Sequence, residues 1–144
     1  MQRGCTAATL LLLIATAGCS SGPPALTLPN GALPPGTAHV TVNGNETRQV
    51  HEVKCESIGK GLTWIYIGSA RARTTLLLDD ARTPKAVAFN DVEGFTGSYW
   101  QDLQGNARLA MVDQTYMLTG TVAGFNAEQP HTRTMTDFAV KVAC

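Results

Sequence analysis

Short runs in which apolar and polar residues alternate recur along most of this chain. Near the C-terminus, Phe138, Val140 and Val142 alternate with less apolar residues, and Cys144 continues their face. Successive side chains of a strand point to opposite faces of a sheet, so this spacing predicts strands with one buried face. Runs of this kind lie at residues 39–43, 49–55, 62–67, 85–89, 107–112, 115–122 and 135–144.

Gly-rich turns separate these runs, and no apolar period of 3.6 residues is long enough for a major helix. The pattern predicts an all-β fold, a small antiparallel β-sandwich or partly open barrel, over residues 38–144. The run LTWIYI at 62–67 is apolar on both faces and is predicted to be a central strand. Residues 69–82 fit either a strand at 74–78 or a turn of helix. A length of 144 residues suits one domain.

Charge and hydropathy exclude two classes of protein. Eleven basic residues balance eleven acidic ones, whereas a nucleic-acid binder usually carries a basic face. Hydrophobic residues make up 44% of the chain, which is enough for a core and argues against general disorder. We therefore expect a folded domain and no nucleic-acid partner.

The first 18 residues have the layout of a secretory signal. Arg3 supplies a positive charge, residues 10–15 form an apolar run too short to span a bilayer, and small residues follow. Cys19 comes directly after Ala17-Gly18, a junction that resembles the bacterial lipobox. Such a match implies a lipoprotein signal peptide at 1–18 and acyl chains, palmitate among them, that fix Cys19 in the membrane. An ordinary signal peptide with a coincidental cysteine is the alternative.

Residues 19–37 are predicted to form a lipidated, proline-rich tether. Five of the seven prolines fall here, and proline removes backbone donors and favours an extended spacer. The hydroxyls of Thr27 and Thr37 are candidate O-glycosylation sites, although plain linker hydroxyls are the preferred interpretation. Asn45-Glu46-Thr47 fits the N-glycosylation pattern, but we do not expect its use in a bacterial protein.

Cysteine spacing predicts one disulfide. Cys5 leaves with the signal peptide and Cys19 becomes a thioether, so Cys55 and Cys144 remain in an oxidising compartment. Both fall on the apolar side of predicted strands, which points both sulfurs inward. A bond between them would close a loop of most of the domain; two buried free thiols are the alternative.

No set of residues predicts a catalytic, metal or cofactor site. The histidines are far apart in sequence, the acidic pairs lack a calcium-loop pattern, and the serines lack a nucleophile elbow. We interpret all of them as loop or strand residues. The residues concerned are His39, His51, His131, Asp79, Asp80, Asp91, Glu93, Ser57, Ser69 and Ser98.

Two features each have a functional interpretation and a purely structural one. Arg71, Arg73, Arg82 and Lys85 form a basic cluster that could meet anionic lipid or glycan, but a solvated face is preferred. Tyr99-Trp100, beside Gly94 and Gly97, could be an exposed aromatic patch for a glycan or a protein. Core packing is the preferred interpretation of that pair.

Residues along nearly the whole chain resemble the mycobacterial nineteen-kilodalton lipoprotein antigen family, the LpqH type. The most specific parts are the run Tyr116-x-Leu118-Thr119-Gly120-Thr121 and the terminal strand that ends in Cys144. This sequence departs from the family's pattern in its tether, which is Pro-rich instead of Thr-rich, and in the aromatics Trp64 and Trp100; these departures indicate a paralogue of the antigen. The other residues that carry the likeness are Asn43, Gly44, Val53, Cys55, Ile65, Ile67, Gly68, Pro84, Val87, Gly94, Tyr99, Gly105, Asn106, Ala107 and Gly124.

The resemblance implies a non-enzymatic, lipid-anchored surface antigen or binding module of the cell envelope. Its location would be the extracytoplasmic face of the cell membrane, with surface exposure. Its partners would be the membrane, through Cys19, and a host receptor or an envelope glycan or protein. The alternative is a carrier of lipids or glycolipids, which needs a roomy apolar cavity that a domain this small can hardly enclose. A small envelope hydrolase would need a nucleophile and base that the sequence does not offer.

Overall fold

A computed structural model describes residues 28–80 and 82–144, and within them every regular element is a strand. The predicted all-β fold is confirmed. No helix of this described part is long and apolar enough to cross a membrane. The strands are β1 (Thr37–Val42), β2 (Asn45–Glu46), β3 (Val53–Gly59), β4 (Leu62–Gly68), β5 (Arg73–Asp79), β6 (Pro84–Val92), β7 (Phe95–Trp100), β8 (Asn106–Val112), β9 (Thr115–Asn126) and β10 (Thr134–Ala143).

All ten strands belong to one antiparallel sheet. The order across it is β2-β1-β10-β9-β7-β6-β5-β4-β3, and β8 pairs with β9 outside this path. The long strand β9 pairs along one edge with β8 through residues 115–121 and with β7 through residues 123–126. The sheet divides where β7 leaves β9, and it curls into a half-barrel around one core.

The core is filled by the inward side chains of both halves of the curled sheet. The Phe89 ring on β6 lies 5.6 Å from the Phe138 ring on β10 and 6.3 Å from the Phe95 ring on β7, measured between centroids. The contact between Phe89 and Phe138 joins β6 and β10, which are three places apart in the sheet order, and the sheet must curl for these rings to meet. Other fully buried side chains are Val40, Val42, Ile65, Leu76, Val87, Leu118, Val122, Val140 and Val142.

Most of the predicted strands are present, with four differences. The predicted strand at 49–55 begins only at Val53, because Val50 pairs with Ala38 of β1 as the chain crosses to β3. The ambiguous stretch 69–82 contains β5, and β7 was not predicted as a strand. β4 is flanked by β3 and β5 but lies next to the edge strand β3 instead of at the centre of the sheet, and only Ile65 and Ile67 are buried, so the prediction of a central strand buried on both faces is wrong.

The predicted disulfide joins Cys55 and Cys144, whose Cα atoms are 6.1 Å apart. It connects β3, at one end of the strand order, to the end of β10, near the other. Cys55 packs against the core, whereas Cys144 is exposed as a residue, so the bond links the core side of β3 to the surface at the end of β10.

Candidate functional site

The predicted anchor and half of the predicted tether lie outside the described residues. This applies to the signal peptide, to Cys19 and to Thr27, whose lipidation and glycosylation remain predictions. The described residues 28–36 lie against the domain. The backbone N–H of Leu33 donates to Thr115 Oγ1 at 2.8 Å, and that of Gly36 donates to the Ala143 carbonyl at 2.9 Å. The chain therefore meets the domain beside the ends of β9 and β10.

Thr37 does not offer the exposed hydroxyl that the sequence predicted. Its side chain is 4% exposed, and its Oγ1 donates to the Pro34 carbonyl at 2.6 Å. Thr37 is the first residue of β1 and pairs with Ala143. Glycosylation there would require this end of the strand to open, so the expected exposure of Thr37 is corrected.

The polar residues considered for catalysis have local partners. Ser98 Oγ accepts a hydrogen bond from Gln104 Nε2, and Ser69 Oγ accepts from backbone N–H groups two and three residues ahead. Both hydroxyls stabilise turns. His39 Nδ1 lies 3.7 Å from Glu46 Oε1 across the β1–β2 pair, while His51 and His131 are exposed in other parts of the fold. Among residues 28–80 and 82–144, no three His, Cys, Asp or Glu side chains gather as metal ligands.

Asp79 closes the turn between β5 and β6. Its Oδ1 accepts from the Thr83 backbone N–H at 2.7 Å, and its Oδ2 lies 3.0 Å from Lys85 Nζ. The hydrogen bond from the Thr83 amide is the larger cause, and Lys85 the next, of a pKa of the Asp79 carboxyl below its usual value. The carboxyl is therefore part of a turn and not of a calcium loop.

The predicted basic cluster is divided by the fold. Lys85 is paired with Asp79, and Arg71 is exposed in the β4–β5 turn. Arg82 is exposed beside β6, while Arg73 lies on β5 with its guanidinium carbon 5.9 Å from the centre of the Tyr66 ring. These four residues make no single basic face.

The Tyr99-Trp100 pair is likewise divided, because neighbours on a strand face opposite ways. Tyr99 is 6% exposed, its hydroxyl donates to the Pro84 carbonyl at 3.2 Å, and burial raises its pKa. Core packing is thus confirmed for Tyr99. Trp100 is 44% exposed on the outer face.

The outer face of β3, β4 and β5 carries a group of residues that the sequence analysis did not single out. Trp64 and Tyr66 alternate with the buried Ile65 and Ile67, so both aromatic rings point away from the core. Their centroids are 6.1 Å apart and the ring planes differ by 21°. We call these two rings the aromatic platform. The run LTWIYI contains this alternation, but Trp64 and Tyr66 were counted as apolar like Ile65 and Ile67, so the outward face of the strand was not recognised.

A groove of about 510 Å³ runs beside Tyr66 on this face. Lys54 lies opposite Tyr66 on β3, and Glu56 lies opposite Trp64. A hydrogen bond and the attraction of the Glu56 carboxylate raise the pKa of Lys54. The residues that line the groove are Glu52, Val53, Lys54, Glu56, Tyr66, Gly68 and Arg73.

Known proteins resemble the chain over its whole domain. Residues 31–144 match the family model described as Mycobacterium 19 kDa lipoprotein antigen. The chain is 31% identical over 148 residues to a protein of Mycobacterium indicus pranii that is named as a lipoprotein, and both chains are covered completely. It is 30% identical over 108 residues to lipoprotein LpqH of Mycobacterium avium, covering 73% of this chain and 66% of LpqH. Lipoprotein LppE of Mycobacterium tuberculosis is 36% identical over 69 residues, about half of each chain.

Proposed function

Because the chain belongs to the Mycobacterium 19 kDa lipoprotein antigen family, we propose that it is a non-enzymatic lipoprotein anchored in the cell envelope through Cys19. The observation that carries the proposal is the family match over residues 31–144, behind a signal that ends in a lipobox-like cysteine. Relatives that share the whole length or most of it are themselves named as lipoproteins.

Acyl chains on Cys19 supply the anchoring energy. Each buried CH₂ contributes about 0.8 kcal/mol, and one chain alone binds a membrane only marginally. Two or three chains on the same residue hold the protein for long times. The β-domain is then displayed on the extracytoplasmic side of the cell membrane, where a host receptor, an envelope glycan or another envelope protein can contact it.

The packed interior supports a binding or recognised surface over the alternative role of a lipid carrier. Phe89, Phe95 and Phe138 meet in the centre of the half-barrel, in the space that an acyl chain would need. A groove of about 380 Å³ beside Val40, Ile67 and Val92 is open to solvent and does not form an enclosed cavity.

Replacing Cys19 tests the anchor. We expect Cys19→Ala to move the protein from the membrane fraction to the soluble fraction or the medium, because the variant has no thiol to acylate. Cys5→Ala is the matched control, since it removes a cysteine that cleavage would discard. Fractionation and intact-mass analysis measure the outcome, and the same mass reports any sugar on Thr27.

Membrane retention of Cys19→Ala, or an unacylated mass for the native protein, would contradict the proposed anchor. The carrier alternative has a separate readout in the same preparation. Extraction of the purified native protein should yield no lipid in stoichiometric amount beyond the chains on Cys19. A stoichiometric second lipid would favour the carrier.

A further inference from the structure

The two rings of the aromatic platform lie side by side on the outer face of β4, with nearly parallel planes and centroids 6.1 Å apart. Trp64 and Tyr66 are two residues apart on β4, with β3 on one side and β5 on the other. Both rings are partly buried, so neighbouring strands limit their rotation. A ligand that stacks on them would lose little side-chain entropy from the protein.

The charges around the platform balance. Lys54 and Arg73 bring two cations to the groove, while Glu52 and Glu56 bring two carboxylates. A groove of this composition offers N–H donors and carboxylate acceptors side by side, with no net charge. It therefore favours a neutral ligand that carries many hydroxyl groups over an anion or a cation.

Arg73 has hydrogen-bonding capacity that the described residues do not use. Its guanidinium lies over the Tyr66 ring, and its Nε is buried with no acceptor among the described residues. A buried polar atom without a partner needs an explanation, such as a bound molecule or water. Arg73 lines the groove, where a ligand hydroxyl would find these donors.

We propose that the groove and the aromatic platform bind a neutral glycan. The C–H face of a pyranose ring is weakly positive and stacks on the negative face of an aromatic ring. Its hydroxyl groups then donate to Glu52 and Glu56 and accept from Lys54 and Arg73. The volume of about 510 Å³ lies within the roughly 300–1,000 Å³ of small-molecule sites, which suits one or two sugar units.

This proposal rests on the proposed function, because it names the class of partner that the anchored domain would hold. The two remain separable in experiment. Binding to sugar is measured on purified protein and does not depend on where the cell places it. Loss of the anchor would leave sugar binding intact, and absence of sugar binding would leave the anchor intact.

The chain contains two tryptophans, which makes the test specific. Trp100→Phe leaves Trp64 as the reporter on the platform, and Trp64→Phe leaves Trp100, three strands away in the sheet order. The purified mature lipoprotein in detergent is titrated with neutral gluco-, manno- and galacto-oligosaccharides of three to six units. We expect a saturable change in fluorescence from Trp100→Phe with at least one of them, and a much smaller change from Trp64→Phe.

Two further variants test the chemistry of the groove. Tyr66→Leu removes an aromatic ring on which the sugar would stack, and Glu56→Gln removes a carboxylate charge while keeping the size of the side chain. Each variant should weaken sugar binding by about tenfold, measured by nuclear magnetic resonance of the sugar. Thr119→Ala, exposed on β9 away from the groove, should bind as the native protein does. Failure of every neutral oligosaccharide at millimolar concentration, undiminished binding by both variants, or a preference for acidic oligosaccharides would overturn the proposal.

Discussion

At the scale of single residues, the Asp79 carboxylate stabilises the turn between β5 and β6. One of its oxygens accepts from the Thr83 backbone and the other meets Lys85. Both contacts favour the ionised form and lower the pKa of the carboxyl. The folded state therefore gains from ionised Asp79, and that gain is present only while the group is charged.

The lowered pKa of Asp79 predicts a pH dependence of stability. The contribution of the carboxylate is complete above its unfolded pKa of about 4 and disappears as pH falls through the lower folded value. Asp79→Asn should therefore destabilise the protein at neutral pH, and the difference from native should shrink below about pH 4. Urea unfolding across this pH range measures it.

Lys85→Gln is the matched control for Asp79, because it removes one partner and leaves the Thr83 N–H in place. This variant should keep part of the acid dependence. A stability difference between Asp79→Asn and the native protein that stays constant from neutral pH to acid would show that the turn does not depend on the charge.

At the scale of the strands, β7 and β9 approach each other closely where two glycines face across the ladder. Gly97 pairs with Gly124, and the Phe95 ring lies against both. A Cβ on Gly124 would lie 2.6 Å from the Cζ atom of Phe95 and equally close to the Gly97 Cα. This contact holds the two halves of the sheet together at the point where they divide.

We expect Gly124→Ala to destabilise the domain by about 1–3 kcal/mol, the usual cost of overpacking a filled site. The added methyl group meets backbone atoms of β7, which cannot move aside without disturbing the ladder. Chemical unfolding measures the change, with exposed Thr119→Ala on the same strand as a control within about 0.5 kcal/mol. Equal stability of the two variants would contradict the close approach.

The strands that the sequence predicted well are those with one apolar face. β10 and β9 bury alternate residues such as Val140, Val142 and Leu118, so period two was visible. β7, with the sequence FTGSYW, was missed because Gly97 interrupts its apolar face between Phe95 and Tyr99, and because its pairing with β9 depends on a distant glycine. Propensity cannot register a partner that lies far away in sequence.

The platform was missed for a different reason. Hydropathy treats Trp64 and Tyr66 as buried residues, although aromatic side chains with a polar atom often lie at a surface. Its charged neighbours come from β3 and β5, and their proximity follows from strand pairing that the sequence leaves open. The cysteine pair, in contrast, was predictable. If the signal peptide carries Cys5 away and Cys19 is acylated, only Cys55 and Cys144 remain to bond to each other.

At the scale of the whole molecule, the Cys55–Cys144 disulfide limits how far the curled sheet can open. The two residues are 89 apart in sequence, and they connect β3 to the end of β10. A bond that closes such a loop removes many conformations from the unfolded chain. It should therefore contribute a large share of the net stability of a domain of this size.

Replacing both cysteines by alanine should lower the free energy of unfolding by about 4–5 kcal/mol. Urea unfolding of the double variant Cys55→Ala, Cys144→Ala against the native protein gives this number. A reductant should destabilise the native protein to a similar extent and should leave the double variant unchanged. A loss below about 1 kcal/mol would mean that packing alone closes the half-barrel.

The hydrogen bonds of Leu33 and Gly36 to the ends of β9 and β10 have a consequence for reach. They fix the described chain to the domain from Leu33 onward, so 14 residues separate the proposed lipid site at Cys19 from the first of these contacts. An extended chain covers at most about 3.5 Å per residue, which limits this connection to roughly 50 Å. In the proposed lipoprotein, the domain can therefore contact only molecules that come within about this distance of the bilayer, plus the domain's own diameter.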